Sequence, residues 1–109
     1  MSAPESIEQS LVKAGTDWAD AQQVADVTEE AKKATFSAAV IRFKREGMSV
    51  SEAEHNARLD SEYKAAAESH AQAARDATAA RVVYRAKEAK FEAWRTIEAN
   101  HRAAARHST

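Results

Sequence analysis

Apolar residues in the second half of the chain recur at alternating intervals of three and four positions. The series contains two polar members and consists of Tyr63, Ala66, His70, Ala73, Ala77, Ala80, Tyr84, Lys87, Phe91 and Trp94. This heptad spacing places side chains on one face of a long helix. It predicts a helix over about residues 61–106, which at 1.5 Å per residue is roughly 69 Å long.

A second series runs along the first half of the chain and predicts a helix over about residues 4–46. It begins as Leu11, Ala14, Trp18, Ala21 and Ala25, and then shifts register to Val24, Val27, Ala31, Ala34, Ala38 and Ile41. Because the shift breaks the seven-residue repeat, we expect a nearly straight helix pair. Gly15 and Thr16 carry a helix-stop and cap signal, so a break at 15–16 stays open.

The segment between the two series carries turn signals. Gly47 follows Lys44 and Arg45, which is typical of a helix C-terminus. Ser49 and Glu52 then have the spacing of a capping box, so residues 50–59 are expected to form a short helix or a bent entry to the helix that follows. A further start signal, Asp60 or Ser61, precedes the long helix.

The fold class predicted from these elements is all-α: a long antiparallel helical hairpin, coiled-coil-like, with a short helix at the turn. We expect residues 1–109 to form a single helical domain. The composition agrees, since 27 alanines accompany only two glycines and one proline. The large residues assigned to the core seam are Trp18, Tyr63, Tyr84, Phe91 and Trp94. Four more residues either widen the seam or form a homodimer face: Phe36, Val40, Val83 and Ile97.

Charge is unevenly distributed although the net charge is only −1. Residues 1–31 contain seven acids and one lysine, whereas residues 81–109 contain seven bases and three acids. In a hairpin the acidic beginning would lie beside the basic end, which favours one pairing and orientation of the helices.

The stretch RVVYRAKEAKFEAWR, residues 81–95, alternates basic and aromatic side chains. One interpretation is a surface on which nucleic-acid bases stack. The interpretation we favour places Tyr84, Phe91 and Trp94 in the seam with bases at its border, because three large exposed rings would be costly on a small protein. The near-zero net charge also argues against direct nucleic-acid binding beyond a weak one.

Candidate catalytic chemistry is sparse. The chain has no cysteine, and its four histidines include no pair at the three- or four-residue spacing of a helix-borne metal site. The two glycines lie far apart, so no glycine-rich phosphate loop is expected. We therefore expect no enzyme activity, no metal and no cofactor, and we interpret His70 as a polar residue that sets helix register.

The N-terminus, MSAPESIEQS, lacks the apolar run of a secretory signal, and no window approaches eighteen consecutive apolar residues. A soluble protein of the cytoplasm, without membrane contact, is the expectation. Candidate partner-binding residues lie at the tip of the hairpin and on the acidic first helix: Arg42, Phe43, Lys44, Arg45, Asp17, Asp20, Asp26, Glu29 and Glu30. The alternative role of the tip bases is to interact favourably with the helix dipole.

Two stretches, VSEAEHNARLDSEYKAAAESH and YRAKEAKFEAWRTIEANHRAAA, resemble the small helical proteins encoded in the early regions of tailed phages and prophages, beside recombination and replication genes. The resemblance covers roughly residues 36–106. It rests mainly on Ser51, Glu52, Glu54, Tyr63, Phe91, Trp94 and Arg95. It implies a viral accessory protein that works near nucleic-acid machinery in the bacterial host.

Two functions are therefore expected to compete. The first is a non-enzymatic accessory or adaptor protein that contacts a phage recombination or replication protein. The second is an inhibitor of a host defence complex, such as an anti-CRISPR protein, whose acidic surface mimics or blocks nucleic acid.

Overall fold

The computed structural model describes residues 3–107, with side chains from residue 6 onward. Three helices follow one another: α1 (Ala3–Arg45), α2 (Val50–Leu59) and α3 (Ser61–His107). Residues 3–107 include no β-strand. The predicted all-α helical hairpin with a short helix at its turn is confirmed, and α1 continues through Gly15 without a break.

The chain divides into two compact units. The terminal unit joins Met1–Ala19 to Thr78–Thr109, and the turn unit is Asp20–Ala77. The helices are antiparallel in each unit: residues with higher numbers on α1 contact residues with lower numbers on α3. Ser10 meets Lys87 and Trp18 meets Tyr84 in the terminal unit, while Thr28 meets His70 and Phe36 meets Tyr63 in the turn unit. The single domain expected over residues 1–109 stays a prediction.

The end of α1 is set by Gly47, whose φ of 95° is in the left-handed region that favours glycine. The amide of Met48 donates to the carbonyl of Phe43, and the amide of Gly47 donates to the carbonyl of Lys44. This pair of bonds is the Schellman motif, which satisfies carbonyls that the ending helix leaves without partners.

Both helices after the turn begin at a side-chain cap. The Ser49 hydroxyl accepts from the Glu52 amide while the Glu52 carboxylate accepts from the Ser49 amide, which is the predicted capping box. Asp60 Oδ2 accepts from the backbone amides of Glu62 and Tyr63 and so caps α3. The sequence therefore placed both helix starts from local chemistry.

The buried residues of both units are alanines. Among the described residues, those that are buried are Ala14, Ala25, Ala39, Ala53, Ala57, Ala73 and Ala77. Ala25, Ala73 and Ala77 form one cluster in the turn unit, with Ala21 packed against it. Methyl-sized side chains let helix backbones approach closely, but each buries little apolar surface, so close packing matters more here than hydrophobic area.

All ten residues of the heptad series on α3 are buried or half-buried, including its polar members His70 and Lys87. On α1 the same is true of Leu11, Ala14, Trp18, Ala21 and Ala25. The α1 seam then continues in unbroken heptad spacing through Thr28, Lys32, Thr35 and Ala39, which are buried or half-buried.

The predicted register shift on α1 is wrong. Val24, Val27 and Ile41, the large members of the shifted series, are 54%, 61% and 51% exposed. The prediction assigned apolar residues to the seam even where this broke the heptad repeat. In the structure the repeat is unbroken, and the seam includes threonine and lysine. Thr28 fits because its hydroxyl donates to the carbonyl of Val24 in the preceding turn.

Candidate interaction surfaces

Aromatic rings in the seams pack in pairs. In the terminal unit the ring centroids of Trp18 and Tyr84 are 5.3 Å apart, and those of Phe91 and Trp94 are 5.9 Å apart. In the turn unit Phe36 lies 5.3 Å from Tyr63, so Phe36 widens the seam there. Each of these rings is half-buried. Contacts between aromatic rings stabilise the packing beyond what the buried area of the rings contributes.

Two arginines of the basic and aromatic stretch lie over these rings. The Arg85 guanidinium is 5.5 Å from the Trp18 ring centroid, and that of Arg95 is 5.9 Å from Phe91. Cations over ring faces contribute modestly at exposed sites. The same rings and bases are therefore already engaged within the terminal unit, which favours the structural interpretation of this stretch over a base-stacking surface.

A shallow hollow of about 450 Å³ lies beside Phe91 and Trp94, with Glu8, Arg95 and Arg102 among its lining residues. The presence of Glu8 at its wall disfavours a phosphate, since a carboxylate repels an anion. The hollow is thus a mixed-charge surface feature rather than a basic channel for nucleic acid.

The expected pairing of α1 acids with α3 bases in the terminal unit does not occur among its described residues. Asp17 instead accepts from Lys13 at 2.9 Å, four residues away on its own helix. Arg85 pairs with Glu88 and Arg95 with Glu92, again within one helix. Lys87, which does reach α1, donates to the Ser10 hydroxyl at 2.6 Å. Residues three and four apart on a helix are close enough to pair without any tertiary contact, so these charged side chains pair within their own helix.

The remaining candidate acids lie in the turn unit, and all are exposed: Asp20, Asp26, Glu29 and Glu30. Asp26 accepts from the Gln22 amide, and both glutamates pair with Lys33. The hydrogen bond to Glu29, together with the charge of Glu30, raises the pKa of Lys33 above its ordinary value. The Glu29 carboxylate also lies 4.0 Å from His70 Nε2 on α3. Exposed pairs of this kind contribute little to stability, so the acids are available to another molecule.

The four candidate residues at the tip have different environments. Arg42 Nη2 lies 2.6 Å from Asp60 Oδ1, and its guanidinium lies 4.9 Å from the Phe43 ring centroid. Phe43 is half-buried, while Lys44 and Arg45 are exposed. Arg42 therefore links α1 to Asp60, and the exposed tip residues that a partner can reach are Arg42, Lys44 and Arg45.

Asp60 is the titratable group with the most specific surroundings. Burial by itself raises the pKa of Asp60, but the hydrogen bonds from the Tyr63 amide and from Arg42, with the charge of Arg42, outweigh it and hold that pKa below its ordinary value. The carboxylate form is thus favoured where α2 ends and α3 begins.

An exposed apolar surface on α1 was not recognised from the sequence. We define the α1 stripe as the residues that the register-shift prediction had assigned to the core: Val24, Val27, Ala31, Ala34, Ala38 and Ile41. All six are exposed. On α3 of the terminal unit Val83 and Ile97 are likewise exposed, as is Val82. The signal for the stripe was present as a second heptad series, but nothing in the sequence marked which of two series faces α3.

His70 lies in the seam of the turn unit, with Nδ1 3.4 Å from Thr28 Oγ1. The described residues contain no cluster of three histidine, aspartate or glutamate side chains arranged to hold a metal ion. None of the helices described here is both long enough and apolar enough to cross a membrane.

Comparison with known proteins gives no relative: no family model, no curated protein and no solved structure matches this chain.

Proposed function

We propose that this chain is a non-enzymatic accessory or adaptor protein that acts by protein–protein contact on nucleic-acid-processing machinery. The resemblance to phage early-region proteins supports a recombination or replication protein of a phage as the partner, met in the cytoplasm of the bacterial host. The observation that carries the proposal is the exposure of one face of α1 in the turn unit.

That face follows from the helical phase of α1. At about 100° per residue, the seam that packs on α3 and the α1 stripe lie on two different sides of the helix. Asp26, Glu29 and Glu30 occupy the third side, and all three are exposed. We call these three residues the acidic face.

The acidic face has the chemistry of a docking surface for a basic protein. Its charges are compensated by Lys33 and by the Gln22 amide on α1 itself. Because such exposed pairs are weak, arginine or lysine residues of a partner can replace them at little cost. Proteins that handle nucleic acid present basic surfaces, which fits a partner of that class.

The proposal is tested by a pull-down from phage-infected cells with tagged full-length chain. We expect a phage recombination or replication protein to be recovered with the wild type and lost with the triple variant Asp26→Asn, Glu29→Gln, Glu30→Gln. The matched control neutralises three exposed acids on α3 of the same unit, Glu62, Glu68 and Asp76, and should retain the partner. Recovery of only a host defence complex, or equal loss with both variants, would contradict the proposal.

A second candidate function is inhibition of a host defence complex such as a CRISPR effector. The specific observation in its favour is that Asp20, Asp26, Glu29 and Glu30 are exposed rather than covered by α3. Exposed carboxylates can occupy a basic groove built for nucleic acid. Phage plating efficiency on hosts with and without active CRISPR, in the presence of this chain, decides the question, and equal plating removes this candidate.

A further inference from the structure

The α1 stripe is a complete heptad seam with no partner in the turn unit. Its members are separated by three, four, three, four and three residues and are all exposed. The stripe is 18 residues long, or about 27 Å of helix. Alternating three and four spacing is the pattern by which one helix packs along another, whereas isolated exposed apolar residues have no such order.

Charged residues occupy the next heptad position at each end of the stripe. Asp20 precedes Val24 by four residues, and Arg45 follows Ile41 by four. Both are exposed, and neither takes part in the ion pairs found among the described side chains of the turn unit. The stripe thus has a negative end and a positive end.

This arrangement is complementary to a second copy of α1. If a second α1 is laid antiparallel with its centre between Ala31 and Ala34, then Val24 faces Ile41 and Val27 faces Ala38. Ala31 then faces Ala34, where small side chains allow the two helices to come close. At both ends Asp20 of one copy faces Arg45 of the other.

A parallel alignment gives the opposite result. Asp20 would face Asp20 and Arg45 would face Arg45, and like charges at facing positions are unfavourable. The charge pattern therefore selects a two-fold antiparallel arrangement, in which one patch is complementary to itself as a symmetric dimer requires.

We propose that the α1 stripe is the interface of an antiparallel homodimer of this chain, flanked by two Asp20–Arg45 ion pairs. Six small or medium-sized apolar side chains on one face of an 18-residue stretch of helix bury much less area than the roughly 1,600 Å² of a stable protein interface. The dimer therefore forms and dissociates with protein concentration. The acidic face lies on another side of α1, so self-association is independent of the partner proposed above.

Sedimentation equilibrium of the full chain, from about 5 to about 500 µM, measures the association. Wild type should shift from monomer towards dimer, and Val27→Asp should stay monomeric because it places a carboxylate in the apolar seam. Val12→Asp is the matched control: Val12 is on the same helix and 69% exposed, but it is outside the stripe, so this variant should associate as the wild type does. Circular dichroism checks that each variant keeps its helices.

Charge reversal tests the orientation. Asp20→Arg should weaken association about tenfold, and adding Arg45→Asp to it should restore the affinity, since two facing pairs are broken and then remade. Because the chain has no cysteine, introduced ones report on register. A mixture of Val24→Cys and Ile41→Cys chains should form a disulfide linking positions 24 and 41, while Val24→Cys alone should not link to itself.

Three results would overturn the proposal. A wild type that stays monomeric over the whole concentration range would show that the stripe does not bind a second copy of this chain. Equal effects of Val27→Asp and Val12→Asp would place the association elsewhere, and disulfides between identical positions 24 would show a parallel alignment.

Discussion

Arg42 Nη2 lies 2.6 Å from Asp60 Oδ1, and this contact links the last turn of α1 to the junction between α2 and α3. The other oxygen of Asp60 accepts from the first amides of α3. One carboxylate thereby links the last turn of α1 to the start of α3, at the residue where α2 ends. Its two oxygens have separate roles, which substitution can distinguish.

Asp60→Asn should lower the stability of the turn unit at neutral pH. Asparagine still caps α3, so the lost stability reports the contribution of the Asp60 charge beside Arg42. Since the pKa of Asp60 is below its ordinary value, its contribution is present above about pH 4 and is lost as the pH falls through the folded-state pKa. Urea unfolding followed by circular dichroism should show the two proteins converging in acid. A constant difference from pH 7 to pH 2 would contradict this.

Gly15, in the interior of α1, lies against the ring of Tyr84. A Cβ built at Gly15 would lie 3.3 Å from Cε1 of that ring, which is closer than most side chains tolerate. Alanine gains about 1 kcal/mol over glycine in a helix interior. Gly15→Ala should therefore stabilise the protein by less than this in the wild type, and by the full amount when Tyr84 is already alanine. Thermal unfolding of the four proteins of this double-mutant cycle measures the difference, and strict additivity would refute the steric role.

Gly47 has a different requirement, because its φ is 95° while a Cβ added there would meet no described residue beyond its chain neighbours within 4 Å. Gly47→Ala should cost about 1–2 kcal/mol through backbone strain alone. Asparagine tolerates the left-handed region better, so Gly47→Asn should cost less. Chemical denaturation gives both values, and an alanine variant as stable as the wild type would rule out the Schellman turn.

The alanine core predicts sensitivity to size. Ala73 is 5% exposed in the cluster with Ala25 and Ala77, and Ala73→Leu should destabilise the turn unit by about 1–3 kcal/mol through overpacking. Ala65→Leu is the matched control, because Ala65 is exposed on the same helix and leucine is nearly as good a helix former. Urea midpoints of the two variants should differ clearly, and similar midpoints would mean that the helices do not pack closely at Ala73.

The sequence by itself determined the elements of this protein. The ends of the helices follow from Gly47, from the Ser49 and Glu52 capping box and from Asp60, because these signals act over a few residues of backbone. The α3 seam also followed from the sequence, since a single uninterrupted heptad series allowed one choice of face.

Only the tertiary structure decided what each face of α1 contacts. Two heptad series share that helix, and the more polar one, with Thr28 and Lys32, packs on α3 while Val24 and Val27 remain exposed. Hydrophobicity does not reveal which series packs on α3, because both series have the heptad spacing of a helix interface. Ala25, Ala39 and Ala73 are buried in the turn unit, and close packing of such small residues favours the more polar series there. Lys13, Arg85 and Arg95 pair with acids on their own helix, because neighbours three or four residues apart are in reach without a tertiary contact.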